Sequence, residues 1–238
     1  MVIALALTMI ILGVAFGGIV QMQHRNATEH TKVDSVQQTR DFVDQMVRDV
    51  HIVGYPPPRV VNTTASCVTD PNTQCCLNNQ NIACGIVSFS PTQIIYEGDL
   101  DGTGQVYRIW IQLQQPASGN CPCTLQRGVL AKASALAGNT PTYFTEVNGI
   151  LNSGTGLGTA TYPISLPGAT VDYSAYSTAD VFDAYDVNGD PALACADPVS
   201  CSSIHSLQIT ANVVSSFLDP KTNVFPVYSI SSNARLNN

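Results

Sequence analysis

Charged side chains are scarce in this chain. They make up 11% of its 238 residues, against about a quarter in ordinary soluble domains, and acids outnumber bases 17 to 10. The ten Lys and Arg are scattered without a patch and the formal net charge is −7, which excludes the clustered cationic surface that nucleic-acid phosphates require. Residues 1–20 carry no charge at all, no Lys or Arg precedes Arg25, and no proline interrupts residues 1–55. Catalytic signatures are missing too: there is no G-x-S-x-G, H-E-x-x-H or P-loop, and Gly154-Thr155-Gly156-Leu157-Gly158 lacks the G-x-G-x-x-G spacing and reads as a loop. The chain is read as a non-enzyme, without nucleic acid as a partner.

What is present begins with the apolar run itself. Twenty residues in helical rise extend about 30 Å, the thickness of a bilayer's hydrocarbon core. A cleaved secretory signal would have a basic start and a small-x-small cleavage site, whereas Ala15-Phe16-Gly17 is a poor match and no base precedes the run. A plain membrane anchor would be followed by a linker or a charge cluster. Here more helix follows: Val33, Val36, Val43, Val47 and Val50, widened by Phe42, Met46 and Val53, form one apolar stripe, while Asp34, Gln37, Asp41, Asp44 and Arg48 lie opposite. Gly54 and Pro56-Pro57-Pro58 end the helix. The organisation expected is an apolar membrane or filament-core helix over 1–23, its amphipathic continuation over 24–54, and a β-rich head over 55–238. The fold class expected is α+β: a long N-terminal helix, its apolar half protruding and its amphipathic half packed on the head, with an antiparallel sheet and long disulfide-linked loops.

Within the head, residues 94–96 and 106–113 flank the Asp99-x-Asp101-Gly102-x-Gly104 turn as a hairpin, the alternation around Leu207, Ile209, Ala211 and Val213 marks a strand, and 224–230 is its partner. Residues 131–136 read as a short helix. Two stretches rich in Asn, Thr, Gly and Pro, 56–83 and 138–173, read as irregular surface loops.

Eight cysteines, Cys67, Cys75, Cys76, Cys84, Cys121, Cys123, Cys195 and Cys201, fall in loops away from the four histidines, so disulfides in an oxidising compartment are expected rather than zinc. Cys195 with Cys201 is the favoured pair. Cys121 and Cys123, separated only by Pro122, are expected to pair elsewhere. Two aspartate turns offer calcium-type oxygen ligands at two-residue spacing, Asp99 and Asp101 in one and Asp186, Asn188 and Asp190 in the other; neither has the twelfth-position acid of an EF-hand, and each also reads as a turn held by its own Asx hydrogen bonds. No cofactor is expected, calcium at these turns being the one alternative. Asn26 and Asn62 head glycosylation sequons.

An apolar half-helix running into a one-sided half, closed by Arg48-Asp49-Val50-His51-Ile52-Val53-Gly54-Tyr55, resembles the N-terminal helix of type IV pilins and pseudopilins, most of all the PilW-like minor pilins and J-type minor pseudopilins. Ile94 to Ile109 around the Asp-x-Asp-Gly-x-Gly turn, Phe182-Asp183-Ala184-Tyr185-Asp186-Val187-Asn188-Gly189, Ile204 to Ile209 and the closing Asn233-Ala234-Arg235 are similar to that family's later segments, in the same order. The family's Phe-Thr-Leu-Ile-Glu type opening is absent, and the start at Met1 is expected to be truncated. The resemblance implies a structural subunit of a type IV pilus-like filament, assembling through Ile3, Leu5, Leu7, Ile10, Ile11, Leu12, Val14 and Phe16 against identical or homologous subunits. It also implies a prepilin peptidase and an inner-membrane assembly platform as partners, and residence in the inner membrane before export to an extracellular filament or periplasmic pseudopilus. A minor tip or initiation subunit, and a membrane-anchored binding module that never polymerises, are the alternatives.

Overall fold

The structure is a computed structural model that describes residues 2–57, 75–117, 119–154, 164–168, 171–219 and 222–236, without the side chains of 2–8, 10, 24, 25, 27, 28, 31, 32 and 75. Helix α1 covers Val2–Ile52 and α2 covers Cys75–Asn78. The strands are β1 (Ile86–Ser90), β2 (Gln93–Gly98), β3 (Tyr107–Gln114), β4 (Cys123–Ala131), β5 (Tyr143–Ile150), β6 (Phe182–Tyr185), β7 (Ser206–Val214) and β8 (Val227–Arg235); α3 (Lys132–Leu136) follows β4 directly.

All eight strands belong to one antiparallel sheet in the order β1-β2-β3-β4-β5-β7-β6, with β8 on the other edge of β7. The two ends of that order approach each other. Phe89 of β1 exchanges backbone hydrogen bonds with Cys195 (2.9 and 3.0 Å), and Ala192 N–H donates to Ala184 of β6 (2.8 Å), so residues 191–195 bridge the first strand to the last. Val181 and Phe182 both donate to Pro91 O, reinforcing the seam.

This closure corrects the expected architecture. The head is not a sheet on which a long helix lies; it is a mostly antiparallel, nearly closed barrel-like sheet, and only the last turns of α1 enter it. Phe42, Val43, Met46 and Val50 are buried with Val53 against Ile94, Ile109, Ile111, Val147, Ile150, Ile209 and Val213. Burying each large apolar side chain contributes about 1.5–3 kcal/mol, so this short segment suffices to seat the helix end. Val47 packs on the core from its rim, Val36 is half-buried, and Val33, expected on the packed face, is 59% exposed. The head covers less of α1 than the length of the stripe, so Val33 stays largely exposed. Thr39 is buried yet satisfied, its hydroxyl donating to Ser35 O (2.7 Å).

The expected hairpin is β2–β3, joined through the Asp99–Gly104 region, and the expected strand pair near the C-terminus is β7–β8. The 138–173 stretch is corrected: it contains β5, whose Val147 and Ile150 are buried in the core while Phe144, Thr145 and Asn148 are exposed. Gly149, at φ +78°, bulges the strand, and a Cβ there would lie 2.8 Å from Val214 O.

Candidate assembly site

The described part of α1 before Gln21 is apolar on every side and touches nothing. Met9, Ile11, Leu12, Val14, Phe16, Ile19 and Val20 are all exposed, Val14 at 73% and Phe16 at 63%, and Met22 at 70% extends the series past Gln21. Globular surfaces scatter single large hydrophobes but seldom display a contiguous set, and such a set marks a surface that another apolar body covers. Of the expected assembly residues, Ile11, Leu12, Val14 and Phe16 stand on this stem; the side chains of Ile3, Leu5, Leu7 and Ile10 lie outside the described residues. Among the described residues no helix is long and apolar enough to cross a membrane, which corrects the expectation of a spanning segment as far as those residues go. Gln21 and Gln23 bound the described apolar run on the side of the head.

The stem is coupled to the head by two ionic arrangements. Asp49, on the last turns of α1, accepts from Tyr96 Oη of β2 (2.8 Å) and from an Arg127 guanidinium nitrogen of β4 (2.7 Å), so one helical carboxylate ties down two strands. Burial, and then the Asp49 charge, push the Tyr96 phenol well above its ordinary value, which keeps it a donor. Beyond Ile52 the chain leaves the helix through Gly54, at φ +81°, whose N–H donates to Glu97 O (2.9 Å), while Asp99 N–H donates to Tyr55 O (3.0 Å). The helix exit therefore runs beside β2. Gly98 is the point of contact: a Cβ there would come within 2.7 Å of Ile52 O.

The second arrangement lies one residue away. Glu97 is fully buried, one oxygen accepting two bonds from Arg108 (2.9 and 2.7 Å) and the other accepting from the fully buried Lys132 (2.5 Å) and from Cys84 N–H (3.0 Å). Lys132 also donates to Cys76 O (2.6 Å) and Ile82 O (2.7 Å), so its ammonium pins the short loop closed by the Cys76–Cys84 disulfide. Burial pulls the lysine below its ordinary value and Glu97 opposes that pull. Sequence reasoning passed over both charges, which lie 35 residues apart; the available signal was a lone charge inside each of two otherwise apolar segments, Ile94-Ile95-Tyr96-Glu97 and Val129-Leu130-Ala131-Lys132.

Three disulfides are described. Cys195–Cys201 is the pair expected; Cys76–Cys84 joins two candidates whose partners were open. Cys121–Cys123 is a correction, since the two were expected to pair elsewhere. Their Cα atoms are 4.4 Å apart, within disulfide reach, and both side chains are completely buried where β4 begins. Cys67 and the Cys75 side chain lie outside the described residues, as does Asn62; Asn26 is exposed on α1. The loops closed are short, separated by 8, 2 and 6 residues, which puts their entropic contribution at the low end for cross-links.

Among the described residues no three His, Cys, Asp or Glu cluster as metal ligands. Asp186 spends Oδ1 on the amides of Asn188 (2.8 Å) and Asp190 (2.9 Å), and the Asp190 amide is the first of the donors that hold its carboxyl below the usual 3.8. A lowered native value means that this stabilisation is complete above 3.8 and is lost as pH falls through the native value. An NMR titration is expected to move the Asn188 and Asp190 amides with an inflection below pH 3.8; an inflection at or above it would contradict the turn's hydrogen bonding.

No protein-family model matches the chain, and comparison with curated proteins and with solved structures finds no match.

Proposed function

We propose that this chain is a structural subunit of a type IV pilus-like filament, assembled by burying its N-terminal apolar stem among the stems of identical or homologous subunits, with the heads forming the outer sheath. The observation that carries the reading is the stem itself: Met9, Ile11, Leu12, Val14, Phe16, Ile19 and Val20 surround the helix axis with exposed apolar surface and rest on no part of the head. A helix apolar all round is stable only when enclosed all round, by lipid before assembly or by other helices after it. The resemblance of the Arg48-Asp49 to Gly54-Tyr55 closure to pilin helices supports the same reading, and Asp49, Gly54 and Tyr55 are the residues that lock the stem to the head. The proposal rests on the stem and not on the head.

A stem that adds head to tail along one axis makes a heterologous contact that does not close, and such a contact generates a helix of subunits. The localisation that follows is membrane-associated before assembly and extracellular or periplasmic afterwards, in keeping with the disulfides. The test is electron microscopy of the full chain after detergent removal. Regular filaments of uniform diameter are expected; a monodisperse species with its stem free, or amorphous aggregate alone, would overturn the reading. A tip or initiation role is distinguished by stoichiometry, because a shaft subunit repeats along the native filament and a tip subunit occurs once.

A further inference from the structure

The two aspartate turns differ in one decisive respect. In the Asp186 turn, Oδ1 is filled by two backbone amides and Oδ2 faces Asn188 Nδ2 at 3.4 Å, so the loop answers its own carboxylate. In the turn between β2 and β3, Asp99 is buried, only 6% exposed; its Oδ2 accepts from Gly104 N–H (2.8 Å), but its Oδ1 is shut off from solvent and accepts no hydrogen bond. A buried carboxylate oxygen without a donor or counter-charge is costly enough that native structures rarely leave one.

A second carboxylate stands beside it. Asp101 lies within hydrogen-bonding reach of Asp99, its Oδ1 accepting from Thr103 N–H (3.1 Å) and Oγ–H (2.6 Å) and its Oδ2 from Tyr107 Oη (3.1 Å). Gln105 Oε1 also meets Tyr107 Oη (3.2 Å). The strand's own cation, Arg108, is committed to Glu97, as is Lys132. The turn thus gathers two carboxyl groups and several neutral oxygens in one short segment with a buried oxygen that accepts no hydrogen bond, and the donors that meet those carboxyl groups are neutral.

We infer that the turn from Asp99 to Gln105 is a calcium site, with Asp99 Oδ1 and a carboxylate oxygen of Asp101 as its charged ligands and neutral oxygens of Thr103, Gln105 or the turn's backbone completing the shell. Calcium accepts such mixed carboxylate, amide and carbonyl sets and does not need three acids. Two charged ligands on an exposed turn place the affinity with extracellular modules, at about 10⁻⁴–10⁻³ M. Because Asp99 N–H also donates to Tyr55 O, the ion would brace the turn against the exit of α1, the joint between stem and head. The inference concerns the head alone and stands apart from the assembly proposal.

The test is an NMR titration of the full chain in detergent with calcium chloride after chelator treatment. Saturable shifts of the Gly102, Thr103 and Gly104 amides are expected. Asp101→Asn, an exposed change that leaves the strand resonances in place, should weaken binding at least tenfold, and Asp99→Asn should do the same, whereas Asp186→Asn should bind as the parent does. The inference is overturned if the turn amides stay still at about 10 mM calcium, well beyond the stated range. Shifts confined to the acidic helix face at Asp34, Asp41 and Asp44, or Asp186→Asn weakening binding as much as Asp101→Asn, would overturn it equally.

Discussion

Glu97→Gln is expected to be the most destabilising conservative substitution in the head. The change is nearly isosteric but removes the anion shared by Lys132, which is fully buried, and Arg108, whose side chain is 18% exposed. Breaking one partner of a buried pair costs about 3–5 kcal/mol, because an uncompensated charge remains where water cannot reach it. For a domain of this size that loss lowers Tm by about 6–20 °C. The double variant Glu97→Gln, Lys132→Met should recover a large part of the loss, since the stranded ammonium goes with it, although Cys76 O and Ile82 O lose their donor. Thermal unfolding followed by circular dichroism decides the matter. A fall in Tm of less than about 2 °C for the single variant would show that the buried pair does not hold the loop as described.

Val14→Lys is expected to abolish filament formation while leaving the head untouched. Val14 is exposed and contacts no head residue, so Tm of the head should stay within experimental error of the parent. In an assembled bundle the same position would be enclosed by apolar neighbours, and each lysine would cost about 2.5–3.5 kcal/mol on the scale of helices in hydrocarbon. That penalty recurs in every subunit. High-speed sedimentation after detergent removal should find the variant in the supernatant and the parent in the pellet. Pelleted, regular Val14→Lys filaments would remove the stem from the account of assembly.

The parts of the molecule legible in the sequence are those governed by local chemistry. The β2–β3 hairpin announces itself because an Asp- and Gly-rich turn sits between two alternating runs, and the end of α1 is marked by Gly54, whose positive φ the structure requires. Cys195 and Cys201 pair as their isolation suggests. What was not legible depends on long-range closure. Nothing near Phe89 indicates that it will pair with Cys195, more than a hundred residues later, and that bridge turns a sheet into a nearly closed barrel-like one. The valine stripe gives the face of α1 that is apolar but not how far the head reaches along it, which is why Val33 was misplaced. Strand β5 was hidden because Thr145, Glu146, Asn148 and Gly149 outnumber its inward residues. The calcium-type turns looked alike as sequence; only the hydrogen-bond partners of Asp99 and Asp186 tell them apart.

The account turns on what covers the stem, and a photo-cross-linker answers that most directly. With p-benzoylphenylalanine in place of Phe16, which is 63% exposed, irradiation of the protein in its native cell envelope reports the atoms packed around that position. The account predicts covalent ladders of stem joined to stem, in copies of this chain or of similar subunits, with peptide mapping that places both ends between residues 9 and 23. Adducts confined to lipid or to the chain's own head, with no stem-to-stem product, would contradict it.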